Sequence, residues 1–132
     1  MTKERLREYR DLKREKEQIQ QRLEAIEAAL YYAKPQRLTG MPSNPSAGNA
    51  MEDMAARHLE LLDLYKEKLK RLDEELRAIE GAIDSLDSRE RTLLRCYYID
   101  GLTWEEVCVE VGYSWRQTHR IHAQALEKLR EK

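Results

Sequence analysis

The segment TWEEVCVEVGYSWRQTHRIH, Thr103 to His122, decides the fold because it contains two helix starts joined by one glycine. Thr103 and Ser114 are polar caps, and each is followed at the third position by Glu106 or Gln117, the capping-box spacing. Gly112 stands just before the second cap, where a chain leaving a helix often needs a positive φ. Two short helices with a tight turn result. Cys108 provides the small residue at which the second helix crosses, and Val107, Val111 and Ile121 clamp the pair. Thr118 takes the buried slot of the second helix. The spacing is that of a helix-turn-helix.

Advancing the second helix by about 100° per residue separates two faces. Thr118, Ile121, His122, Ala125, Leu126 and Leu129 fall on the inward side. Arg116, Arg120 and Ala123 point outward, with Gln117 and Gln124 on one flank and His119 on the other. Arginine and glutamine on an exposed helix face pair bidentately with guanine and adenine edges in a major groove. The backbone N–H groups at the Ser114 cap suit a phosphate. The expected DNA-contacting residues are therefore Ser114, Trp115, Arg116, Gln117, His119, Arg120 and Gln124. From Gly112 to Gln124 no carboxylate interrupts them.

Other chemistries fit less well. Cys96 and Cys108 lack a CxxC pairing and occupy slots expected for small core residues, so with His119 and His122 they make no metal site. Neither a Gly-rich phosphate loop nor a Ser/His/Asp arrangement is present, and neither a cofactor nor an enzymatic activity is expected.

Outward from this segment, Asp87 with Glu90 marks a third helix start, and helices are expected over 88–99, 104–111 and 115–130. Upstream, apolar residues alternate at three and four positions. One series is Tyr9, Leu12, Ile19, Leu23, Ile26, Leu30 and Ala33, with Lys16 filling a slot; the other runs from Ala55 through His58, Leu62, Tyr65, Leu69, Leu72, Leu76, Ile79 and Ile83 to Leu86. Between them KPQRLTGMPSNPSAGNA, residues 34–50, carries all three prolines and reads as a loop. The expected fold is all-α: a coiled-coil helix over 1–33, the loop over 34–50, a second coiled-coil helix over 51–86, and a three-helix domain over 87–132. The two seams pair either as an antiparallel hairpin or between the chains of a homodimer.

Composition agrees with an elongated helical chain. Charged residues make up 37% and aromatics 7%, with no Phe, which is thin material for a large globular core. The net charge of -1 offers no global attraction for a polyanion. Even 87–132 holds eight basic and eight acidic residues, so few phosphate contacts, modest affinity and a shallow salt slope are expected. Such a module needs dimerisation or a second protein to hold it on DNA. Two lone thiols and no apolar run of membrane length point to a soluble protein of the reducing cytoplasm.

LDSRERTLLRCYYIDGLTWEEVCVEVGYSWRQTHRIHAQALEKLR, Leu86 to Arg130, resembles the region 4 helix-turn-helix of sigma-70-type factors. The Arg-Glu-Arg start, Tyr98-Ile99-Asp100-Gly101-Leu102, Glu-Glu-Val before Gly112 and the closing Ala125-Leu126-x-Lys128-Leu129 carry the likeness. Over nearly the whole chain, the charged first helix, the LTGMPS loop and the heptad helix look like the small ArpU- or RinA-type phage and prophage transcriptional regulators. The resemblance implies promoter reading by Arg116, Gln117, His119 and Arg120, with Trp115 beside them, and contact with RNA polymerase. Heptad helix stands where a sigma factor has its promoter-melting region, so an activator borrowing the sigma DNA reader fits better than a complete sigma factor. A DNA-packaging adaptor resembling a terminase small subunit, and a coiled-coil protein that docks on polymerase without reading DNA, are the alternatives.

Overall fold

The computed structural model describes residues 1–32 and 45–131. Among them every regular element is helical: α1 (Lys3–Arg7), α2 (Tyr9–Tyr32), α3 (Pro45–Asp84), α4 (Ser88–Leu94), a π-helical turn (Arg95–Ile99), α5 (Trp104–Val111) and α6 (Trp115–Arg130). The all-α fold expected from the sequence is observed. The expected loop lies outside the described residues as far as 44, and from Pro45 the chain is already helical. Proline suits a first helical position because the N–H it lacks would have no partner there.

The chain forms two compact units, Met1–Glu15 with Leu72–Lys132, and Lys16–Arg71. In the second unit the 3,4 alternation marks the less exposed side of each helix. Ile19 is buried, and Leu23, Ile26, Leu30, Ala55, His58, Leu62, Tyr65 and Leu69 are half-buried. Met54, Leu61 and Leu64 lie outside that seam and are exposed.

The first unit is larger than the domain expected to start at residue 87. Its core joins Leu6 and Tyr9 to Leu76, Ile79, Ile83 and Leu86 of the α3 seam and to Leu93, Leu94, Val107, Ile121, Ala125 and Leu129 of the C-terminal helices. Residues 1–15 are thus an integral wall of this core. Arg5 adds an ion pair to Glu75 at 3.5 Å, and the Tyr9 hydroxyl donates to Glu80. The α3 seam within this unit is filled from its own chain.

Each C-terminal helix begins at its expected cap. Asp87 accepts from the Glu90 N–H at 3.0 Å, Thr103 from Glu106 at 3.3 Å and Ser114 from Gln117 at 3.2 Å. The Asp87 carboxyl is pulled down to about 2, first by hydrogen bonding with Glu90 and then by Lys128. Burial pushes Glu90 the other way, and Lys128 of α6 bonds to it and lies 3.6 Å from Asp87, closing the bundle between α4 and α6.

The helix expected over 88–99 changes winding after Leu94. The Asp100 N–H donates to Arg95 O at 2.9 Å, five residues back, which widens the turn. Tyr97 and Tyr98 both reach neighbouring helices as a result. Propensity carries no signal for that step, because it depends on tertiary partners.

Leu6 is fully buried, so Leu6→Ala should lower unfolding free energy by about 2–5 kcal/mol in denaturant titrations followed at the C-terminal tryptophans. An unchanged midpoint would mean that the first helix is only peripheral to this core.

Candidate nucleic-acid interface

The turn between α5 and α6 rests on Gly112, whose φ of 75° lies in the left-handed region. Its N–H donates to Cys108 O at 2.9 Å and closes α5. A Cβ there would meet nothing within 4 Å, so glycine is required by backbone conformation, not by crowding. Ser114 then starts α6 with extended backbone and a capping hydroxyl.

Packing fixes how α6 is rotated. Thr118, Ile121, His122, Ala125 and Leu129 are buried along one stripe, as the helical spacing predicts. Arg116, Arg120, Ala123 and Gln124 are exposed, and Gln117 is half-buried. No ion pair ties Arg116 or Arg120 to a carboxylate among the described residues. Their guanidinium groups retain the planar donor forks that pair with guanine or phosphate.

Aromatic rings hold the His119 flank. Tyr97 stacks on Trp104 at 4.0 Å between centroids, nearly parallel at 18°. Trp104 lies 4.6 Å from His119, and Trp115 lies 4.5 Å from it on α6. His119 Nε2 is buried without a hydrogen-bond partner among the described residues. His119 therefore lies between the two indoles, with that nitrogen shielded from solvent. Trp115 remains 52% exposed, enough for one ring face to meet a ligand.

Below this flank the Tyr98 hydroxyl and His122 Nε2 are 2.7 Å apart in the core. Burial, reinforced by Lys3 and then by His119 and Arg7, pushes His122 down to about 4. It stays neutral at ordinary pH. Burial drives the Tyr98 phenol up to about 12, with Tyr97 adding to the shift. The Tyr98–His122 pair thus joins two neutral groups, and it locks α6 to the π-helical turn.

Cys96 is buried, with its thiol raised by burial and then by Asp100 and Glu110, while Cys108 is half-buried in α5. The two histidines are engaged by aromatic partners. Sequence reasoning missed the approach of Lys3 and Arg7 to this region. They stand 119 and 115 positions before His122, and no local pattern reports so distant an approach.

Residues 82–131 match the family described as Sigma-70, region 4, a helix-turn-helix DNA-binding region. No curated protein matches the chain significantly, and neither does any solved structure. Among the described residues no helix is long and apolar enough to cross a membrane.

The pH dependence of stability follows from His122. Its folded pKa lies below the unfolded value near 6.5, so unfolding takes up a proton between those values and acid favours the unfolded chain. This contribution should be complete above pH 6.5 and be lost as pH falls towards about 4, amounting to no more than about 3 kcal/mol. His122→Gln should flatten that stretch in urea titrations. An equal slope in the variant would assign it to other groups.

Proposed function

We propose that the chain is a sequence-selective, double-stranded DNA-binding transcriptional regulator, of the phage or prophage kind that the ArpU- and RinA-type likeness suggests. The observation that carries this reading is the exposed outer face of α6 between Trp115 and Gln124, where no carboxylate occurs, held by a buried stripe within a region that matches sigma-70 region 4. Arg116 and Arg120 are the base readers, with Gln117 and Gln124 on the flank. Ser114 and the first N–H groups of α6 meet a phosphate, and Trp115 meets sugar or a thymine methyl. His119 supports Trp115 from behind.

Regulation is by activation together with RNA polymerase in the cytoplasm, without catalysis, cofactor or metal. The near-neutral charge of the C-terminal region favours a second source of affinity. A homodimer supplies it by doubling the recognition helices. Met54, Leu61 and Leu64, spaced by seven and three along α3 and exposed outside the seam, give a second copy an apolar strip to cover.

Selection of bound sequences from random duplex DNA by the full chain tests the reading. Arg116→Ala and Arg120→Ala should each reduce binding to the selected duplex by about 1–3 kcal/mol and relax selectivity at one position. A double variant that binds the selected duplex as tightly as the parent would refute base readout by α6. Leu61→Glu with Leu64→Glu should shift sedimentation from dimer to monomer while leaving helicity intact. A variant that remains dimeric would place the dimer contact elsewhere.

A further inference from the structure

One cleft of the first compact unit has no part in reading bases. It measures about 340 Å³, and its lining includes Arg7, Arg10, Tyr97, Tyr98, Gly101 and Thr103. No carboxylate lines it. Arg5 is committed to Glu8 and Glu75, whereas no ion pair joins Arg7 or Arg10 to an acid among the described residues. Gly101 makes the approach of Arg10 possible. A Cβ at that position would stand 2.5 Å from the guanidinium carbon, and its φ of 73° itself favours glycine.

Its location points to the occupant. Thr103, on the rim, caps α5, and the next residue, Trp104, contacts His119 of α6 at 4.6 Å; His119 in turn contacts Trp115 at 4.5 Å. The cleft thus lies one ring stack away from the flank of the outward face of α6. A helix in a major groove about 12 Å wide has a sugar-phosphate backbone running along each side. With α6 in that groove, the phosphates on its His119 flank are the ones nearest this cleft. The two guanidinium groups match a phosphodiester, whose oxygens only accept hydrogen bonds, whereas the Thr103 hydroxyl is already given to Glu106.

We propose that Arg7 and Arg10, carried by the first helices and lying outside the region 4 match, grip a backbone phosphate of the duplex that α6 reads. The proposal rests on the DNA-binding reading above. It supplies the fixed cations that residues 87–132 lack, with eight bases there matched by eight acids. Asp100 precedes the cleft in the chain but is not among its lining residues. The start of the chain therefore does two jobs: Leu6 of α1 and Tyr9 of α2 fill the core, and Arg7 and Arg10 meet the backbone.

The test uses the full chain with two duplexes of equal length, one recovered by selection and one scrambled, over a range of salt. Arg7→Ala with Arg10→Ala should weaken both duplexes by a similar factor, about tenfold, and reduce the slope of log affinity against log salt by about 1. Arg7→Lys with Arg10→Lys should restore most of the affinity and the slope, which a merely structural loss would not allow. Thermal melting of both double variants should stay near that of the parent. Unchanged affinity and slope in the alanine variant, with the parent still binding, would overturn the phosphate grip and leave base readout standing. Loss confined to the selected duplex would overturn it as well, by making the arginines base readers. Lost polymerase capture with an unaltered salt slope would assign the cleft to a protein carboxylate instead. A parent chain that binds neither duplex overturns both this proposal and the function on which it rests.

Discussion

The orientation of α6 depends on what it buries. Five residues, Thr118, Ile121, His122, Ala125 and Leu129, form one inward stripe, and the neutral Tyr98–His122 pair fixes its middle. Rotating the helix by one residue would bring arginine into the core and strip the buried imidazole of its partner, both costly without compensation. The outward placement of Arg116 and Arg120 is therefore a consequence of core packing. A reader built this way is preorganised, so little ordering is left for the moment of binding.

The same dependence extends to the start of the chain. The three short C-terminal helices offer limited apolar surface, and Leu6, Tyr9 and the α3 seam complete their core. Small helical modules commonly need such added surface to hold one structure. Here the completing helix brings cations as well as hydrophobic side chains, so one element bears on both stability and charge.

Much of this was legible in the sequence. Capping boxes at Asp87, Thr103 and Ser114 located the helix starts, because a cap is a local bond between near neighbours. The 3,4 alternation identified Leu72, Leu76, Ile79, Ile83 and Leu86 as inward-facing for the same reason: helical period is a local property. Gly112 declared its positive φ. What stayed hidden was long-range. The wider turn after Leu94 serves Trp104 and His122, the burial of Leu6 depends on helices far along the chain, and His119 is a spacer only because Trp104 comes to meet it. For the same reason the arginine cleft left no trace in spacing or composition.

The first two helices and α6 belong to one cooperative core. Native-state amide hydrogen exchange on the full chain addresses it directly, because opening free energies report which segments unfold together. Amides of Leu6 and Tyr9 should exchange with the same opening free energy as those of Ile121 and Ala125. Rapid exchange at residues 3–15 beside persistent protection in α6 would contradict it.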